Sequence, residues 1–223
     1  MTATQLPSPT VRPATTIAPR ADFRRSLLEW GEWGVILALY CWLVARLWAG
    51  FWFDGKVINL LLLLSEGLVI GFVLFRRRAN QVSRQPAEWL LALAVTCSPM
   101  LASPGGESMV PASAAIGLLL FGLVIQLHAK VTLGRSIGMI PANRGLKLGG
   151  PYRFVRHPMY AGYLISHVGF LIANPTWWNL AVYGIGNGLQ ILRLLAEERL
   201  LSRDEQYLEY RTRVPYRLIP NVF

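Results

Sequence analysis

The chain has 223 residues, 53% of them hydrophobic and only 15% charged, against about 25% charged in an ordinary soluble domain. Charge is nearly absent over residues 57–75, 89–103 and 110–127, and such runs lack the polar face that a buried helix of a soluble protein keeps. A soluble fold is therefore excluded, and the net charge of +10 does not point to nucleic acid, because the basic residues gather at the ends of the apolar runs.

The first 25 residues, which begin MTATQLPSPTVRPATTIAPR, are rich in Pro and Thr and hold no apolar core. They predict a disordered tail rather than a secretory signal, although their Arg content and scarcity of acids leave an organelle-targeting role open. Residues 26–128 read as the N-terminal transmembrane helices. A bilayer core needs about 20 apolar residues per helix, or about 17 at the short end. The first span is predicted at 30–53, with Trp48, Phe51, Trp52 and Phe53 as interface anchors. A tight Asp54-Gly55 turn leads to the second, 57–75. The third covers about 87–101 and ends at the loop SPGGES. The fourth, 110–128, carries Ala112, Ser113, Ala114, Ala115 and Gly117, small enough for close helix contact.

Arg46 and Glu66 lie inside the first two spans, where an ionisable group needs a partner or a polar cavity. Helical geometry about a turn at residue 55 predicts that they pair and lock the first hairpin; a proton or ion pathway is the functional rival. Cys41 and Cys97 fall in predicted spans without metal-ligand spacing and are expected to be packed thiols.

Residues 130–156 are too charged to cross a membrane and contain Gly134, Gly138, Pro141, Gly145, Gly149, Gly150 and Pro151, so they predict a structured loop rather than a helix. A helical hairpin follows, with one limb at 159–173, a turn at Asn174-Pro175 and a return limb from Trp177 past Leu195. The segment 197–213 alternates charges, with Leu200, Leu201, Tyr207, Leu208 and Val214 on one face, as an amphipathic helix does. The fold class expected is therefore all-α: a polytopic transmembrane helical bundle of five or six spans, with a cytosolic cofactor-binding loop and a C-terminal amphipathic helix. Arg20, Arg24 and Arg25 precede the first span, Arg76–Arg78 and Arg84 follow the second, and six basic residues from Lys130 to Arg156 follow the fourth. That asymmetry predicts an integral, multi-pass protein of a bacterial inner membrane or an endomembrane, with both termini cytosolic. Membrane lipids are its expected surroundings, and its oligomeric state is left open.

Chemistry concentrates first in GGPYRFVRHPMYAGY, residues 149–163. Arg153, Arg156 and His157 bring cationic or donor groups together, and Pro158 suits the first turn of a helix. Free amides at such a helix start attract an anionic group, while Tyr152 and Tyr160 offer faces to a planar ring or a cation. A basic loop touching lipid headgroups would need the Arg residues but not the ordered Gly-Pro-Tyr and His-Pro-x-Tyr. The second cluster is Arg193, Glu197 and Glu198. Arg193 and Glu197 stand one turn apart and can form a plain i,i+4 salt bridge. Two adjacent carboxylates also suit ribose hydroxyls or an ammonium, and Arg193 presents a planar fork to a substrate carboxylate. The string Gly184-Ile185-Gly186-Asn187-Gly188 lies mid-helix without a preceding strand, so it predicts helix packing rather than a nucleotide loop.

The ordered set LGRSIGMIPANRGLKLGGPYRFVRHPMYAGYL, then RLLAEERLL, then YLEYRTRVPYRLIP, resembles the isoprenylcysteine carboxyl methyltransferase family, whose superfamily also includes membrane phospholipid methyltransferases. The resemblance begins near His128 and marks 129–223 as a methyltransferase catalytic region. It implies S-adenosylmethionine as cofactor, contacted by Tyr152, His157, Pro158, Met159, Tyr160 and Glu197. Arg144, Gly145, Leu146 and Lys147 would line the cofactor's other side, and in the phospholipid enzymes the glutamate pair, here Glu197 and Glu198, is attributed to the cofactor. Arg193 matches the arginine that faces the substrate carboxylate.

The activity expected is methylation of a lipid-like or hydrophobic acceptor, first an isoprenylcysteine-type carboxylate, with phospholipid amine N-methylation or small-thiol S-methylation as alternatives. A membrane reductase using a nicotinamide cofactor and a non-catalytic membrane scaffold or transporter are the readings of another class. No metal is expected. The protein's task in such a reaction is in-line positioning with water kept out. An amine acceptor must also lose a proton, for which Glu197, Glu198 and His157 are the available bases.

Overall fold

The computed structural model describes residues 30–31, 34–35, 37–42, 44–45, 48, 71–72, 75, 81–83, 85–103, 105–138, 142–143 and 145–223. The tail 1–25, most of the first two predicted spans, Arg46, Glu66 and Arg144 lie outside the described residues. The described residues from 30 to 48 are helical, and Leu39, Tyr40 and Phe72 pack against a small core at Ala92 and Ile137. Cys97 is partly buried, but Cys41 is exposed, which corrects the expectation of two packed thiols.

Five α-helices follow: α1 (Pro86–Cys97), α2 (Ala112–Leu133), α3 (Pro158–Ala173), α4 (Trp177–Leu201) and α5 (Glu205–Arg213). Short 3-10 turns at Ser98–Leu101, Gly134–Ser136 and Gly150–Arg153 complete the helical part. Among the described residues the departure from an all-α fold is a pair of two-residue strands, β1 (Gln81–Val82) and β2 (Ala142–Asn143), antiparallel with Gln81 opposite Asn143. This ladder ties the polar loop back to the segment before α1.

Among the described residues one helical stretch, Ala112–Ser136, is long and apolar enough to cross a membrane; Pro86–Leu101 and Pro158–Ala173 are apolar but shorter. Helix α4 runs 25 residues, yet Asn179, Asn187, Gln190 and Arg193 dilute its apolar character. Large apolar side chains stand on the outside of these helices, among them Phe121, Val124, Ile185, Leu192 and Trp177, the last 86% exposed.

Helix α2 extends five residues beyond the predicted end at residue 128, because the charge at Lys130 does not stop it. Lys130 is fully buried, its ammonium 5.5 Å from the ring centroid of Tyr163. Gly134 ends the helix instead, with φ +50, a conformation that costs side-chain-bearing residues steric energy.

The closest packing joins α2 to α3. A Cβ on Gly162 would sit 2.7 Å from Cγ of Gln126 and 2.8 Å from the Gly122 carbonyl oxygen; one on Gly122 would sit 2.7 Å from the Gly162 carbonyl oxygen. The two backbones can approach this far only because both positions are glycine. Beside them Gln126 Nε2 donates to Ser166 Oγ at 2.9 Å. A side-chain hydrogen bond between helices contributes about 0.6 kcal/mol on average where it lies in a bilayer.

The hairpin between α3 and α4 is fixed by Asn179, which is fully buried. Its Nδ2 donates to the carbonyls of Ser103 (2.9 Å) and Asn174 (2.8 Å), and its Oδ1 accepts from the Ser103 amide at 3.1 Å. Thr176 caps α4 by accepting from the Asn179 amide. Within the hairpin His167 Nδ1 meets Asn187 Oδ1 at 2.8 Å, and the His167 ring lies 4.6 Å from that of Tyr183. Of the glycine string in α4, a Cβ on Gly186 would sit 2.7 Å from Ser98 Oγ, while one on Gly184 or Gly188 would meet nothing outside its own helix within 4 Å.

The predicted amphipathic segment 197–213 is split. Helix α4 continues through Glu197 and Glu198 to Leu201, and Asp204 caps a separate α5 by accepting from the Gln206 amide. Of the apolar face expected, Leu200, Tyr207 and Val214 are buried but Leu208 is 44% exposed, and Tyr210 is buried in its place, packed with Tyr207 and Val214 against Leu146 and Leu201.

Candidate active site

The site lies where α3 begins, α4 ends and α5 folds across them. Pro158 occupies the first turn of α3 and is fully buried, with His157 at the position before it. This places His157 and Tyr160 one turn apart, their rings stacked 5.6 Å apart at 13°. The Tyr160 hydroxyl donates to Glu197 Oε2 at 2.9 Å, joining the start of α3 to the end of α4. Arg193, one turn before Glu197 and half-buried, holds its guanidinium 5.7 Å from the centre of the Tyr160 ring.

Glu198 faces elsewhere. Its Oε1 accepts from Arg156 Nε at 2.7 Å and lies 3.2 Å from His157 Nε2, and its Oε2 accepts from Arg217 Nε at 2.9 Å. Burial would raise its pKa, but the His157, Arg156 and Arg217 contacts outweigh it and hold the carboxyl well below the usual carboxylate range. Arg156 also donates to the carbonyls of Val214 (2.9 Å) and Pro215 (2.6 Å), while the amides of Arg156 and His157 donate to the carbonyls of Tyr216 and Arg217, each at 2.9 Å. The segment after α5 is thus stitched along the residues that lead into α3.

A partly open cleft of about 90 Å³ sits inside this frame. Gly145, Leu146, Lys147, Tyr152, Arg156 and His157 line it from the segment before α3, Met159 and Tyr160 from α3 and Glu197 from α4, while Tyr207 and Tyr210 line it from α5. Eight of the residues expected to contact the cofactor, together with Arg156, therefore meet at one cleft. Pro158 stands behind it as a buried support, Glu198 is engaged in the ion-pair knot, and Arg193 reaches it through Tyr160. Small-molecule sites usually enclose about 300–1,000 Å³, so a nucleoside-sized ligand requires the walls to part. Leu146 and Tyr210 also line a neighbouring groove of about 480 Å³, bounded by Arg153, Glu209 and Arg213, and so form the partition between the two spaces.

The phenols around the cleft are held neutral. Burial, then the Glu197 charge, pushes Tyr152 well above its usual range; burial pushes Tyr210 up to about 12. The Tyr210 hydroxyl donates to the Tyr152 carbonyl at 2.6 Å, fixing α5 to the 3-10 turn at Gly150–Arg153. No group of three or more His, Cys, Asp or Glu able to hold a metal occurs among the described residues.

Sequence reasoning did not single out Arg156 as part of a buried ion-pair knot, nor Tyr207 and Tyr210 as cleft residues. For the tyrosines the available signal was their position on the apolar face of the last helix, which says that they are buried and not against what.

Residues 111–204 match the phospholipid methyltransferase family. No curated protein matches the chain. The match spans α2, the hairpin and the cleft residues from Gly145 to Leu201, and the family it names lies in the membrane methyltransferase superfamily that also includes the isoprenylcysteine carboxyl methyltransferases; this similarity indicates a methyltransferase, a class that uses S-adenosylmethionine as the methyl donor.

Proposed function

We propose that the protein transfers a methyl group from S-adenosylmethionine to the amine of a phospholipid-like amphiphile at the basic end of its helical bundle. The observation that carries this reading is the convergence of Lys147, Tyr152, His157, Tyr160 and Glu197 on one cleft, with Arg193 one helical turn closer to the apolar part of α4. The donor set fits the cofactor's chemistry: aromatic faces for its adenine and sulfonium, a carboxylate for ribose hydroxyls or ammonium, and donors for its carboxylate. The cofactor supplies a methyl already activated on sulfonium. What the chain supplies is alignment and exclusion of water.

Arg193 lies on the Tyr160 side of α4, where it can bind an anionic group of the acceptor as a planar fork. In a phospholipid that group is the phosphate. Glu197, held by Tyr160, is then placed to take the proton that an ammonium must lose. A prenylcysteine-type carboxylate is the second reading, favoured by the same Arg193, since a carboxylate needs no base. The basic residues flanking the apolar runs support a cytosolic position for the cleft, with the acceptor approaching laterally between helices.

Incubating purified protein with methyl-labelled S-adenosylmethionine and either phosphatidylethanolamine vesicles or a prenylcysteine analogue tests the acceptor. Label in the phospholipid is expected. Label only in the prenylcysteine analogue would transfer the assignment to the carboxylate. Thermal stabilisation by a dinucleotide but not by S-adenosylhomocysteine would overturn the methyltransfer reading itself.

A further inference from the structure

His157 is gripped by one residue at both its backbone and its ring. The carbonyl of Arg217 accepts from the His157 amide at 2.9 Å, while the guanidinium of the same residue donates from Nε to Glu198 Oε2 at 2.9 Å. The other oxygen of that carboxylate lies 3.2 Å from His157 Nε2. Glu198 is held ionised by its contacts, and an ionised carboxylate can only accept. The proton of this contact therefore belongs to His157 Nε2.

Arg217 is in turn fixed from its far side. The Phe223 carbonyl oxygen accepts from the amides of Arg217, Leu218 and Ile219 at 2.9, 2.8 and 3.1 Å. The Phe223 ring also lies 4.9 Å from the guanidinium carbon, within the range at which a cation is attracted to an aromatic face. Arg217 and Phe223 both lie outside the residues 111–204 that match the family.

We infer that Arg217 is a positioning residue for His157: acting through Glu198, it fixes the imidazole with its proton on Nε2 and leaves Nδ1 as an acceptor for the S-adenosyl ligand. His157 lines the cleft, and its ring is stacked on that of Tyr160 at 5.6 Å and 13°, so a turn of the imidazole disturbs the stack and the acceptor together. The group that a bare ring nitrogen suits is an ammonium or N–H of the ligand. Without Arg217, Glu198 Oε2 is released. The carboxylate can then meet Arg156 in the two-bond manner of guanidinium pairs and withdraw from His157. The identity of the ligand rests on the methyltransfer reading of the cleft; the tautomer does not.

Magnetic resonance of the imidazole nitrogens in detergent, with the His157 signals assigned by their loss in His157→Gln, reads the tautomer at neutral pH. The unaltered protein should carry the His157 proton on Nε2 alone; a proton on Nδ1, or on both nitrogens, overturns the inference. Arg217→Met should mix the two tautomers and raise the calorimetric Kd for S-adenosylhomocysteine about 2- to 10-fold, the worth of one neutral hydrogen bond. This variant is expected to fold, because the Arg217 side chain is 31% exposed and the buried Arg156–Glu198 pair remains. Should it not, Phe223→Leu decides: it strips the ring from Arg217, keeps the main-chain contacts, and should move both readouts in the same direction by less. Arg217→Lys keeps a cation on Glu198 and should restore both. An unchanged His157 spectrum in Arg217→Met and Phe223→Leu overturns the inference. So does a lost affinity that Arg217→Lys does not recover, which would make Arg217 a structural support only. No binding of S-adenosylhomocysteine by the unaltered protein overturns the methyltransfer reading, and the spectra then decide the positioning of His157 by themselves.

Discussion

Arg156 Nε donates to Glu198 Oε1 at 2.7 Å across 42 positions of sequence, with both side chains almost wholly buried. Arg217 completes the carboxylate from the other side at 2.9 Å. The knot joins the start of α3, the end of α4 and the segment after α5, so the walls of the cleft are fixed by a group adjacent to it.

Replacing Glu198 with Gln leaves two guanidinium groups facing a neutral amide. Breaking a buried pair costs about 3–5 kcal/mol, and the low end applies because Arg217 is 31% exposed. The dependence on pH has a definite sign. Glu198 titrates below its ordinary value of 4.5 in the folded protein, so its contribution is fully present above that value and is lost as pH falls through the depressed native range. Thermal unfolding in detergent between about pH 3 and pH 7 should show a steeper acid loss in the unaltered protein than in Glu198→Gln. Parallel curves would refute the assignment.

Glu197 is expected to behave in the opposite way to its neighbour. Its carboxylate lines the cleft and accepts from the Tyr160 hydroxyl at 2.9 Å, outside the buried knot that holds Glu198. Glu197→Gln should weaken S-adenosylhomocysteine binding by about 10- to 100-fold, the range for a hydrogen bond to a charged group, with a melting temperature near that of the unaltered protein. Calorimetry and thermal unfolding on the two glutamine variants together decide the matter, because a shared phenotype would mean that the two carboxylates do not have separate roles.

Arg193→Lys keeps the charge and removes the planar fork. Cofactor affinity should be retained and methyl transfer reduced by about 10-fold or more, as a two-bond anionic contact is replaced by a point charge. Loss of cofactor binding along with turnover would move Arg193 from the acceptor to the cofactor.

The α2–α3 contact predicts a strong asymmetry among glycines. Gly162→Ala places a Cβ 2.7 Å from Gln126 Cγ and 2.8 Å from the Gly122 carbonyl, which should destabilise by about 1–3 kcal/mol through overpacking. Gly184→Ala, with nothing within 4 Å, should be neutral or stabilising by up to about 1 kcal/mol through helix propensity. Equal melting shifts for the two would contradict the packing described.

Periodicity located α3 and the start of α4 to within about a residue, because Pro158, the Asn174-Pro175 turn and the Thr176 cap act locally on the backbone. It misplaced the end of α2. The burial of Lys130 beside Tyr163 depends on α3, which arrives thirty residues later, and without that partner the Lys130 charge on α2 has the signature of a helix end. The same limit applies to 197–213: a continuous charge alternation does not reveal that Asp204 begins a new helix.

What the sequence determined by itself is the apolar runs, the helical hairpin and the set of residues that gather at the cleft, since each depends on composition or on order along the chain. Only the tertiary structure separated Glu197 from Glu198. Neighbours on a helix point about 100° apart, and which of the two meets Tyr160 and which meets Arg156 is settled by how α3 and the C-terminal segment dock. The same docking brings Tyr207 from an apolar face of α5 to the lining of the cleft, a placement fixed by contacts between segments distant in sequence.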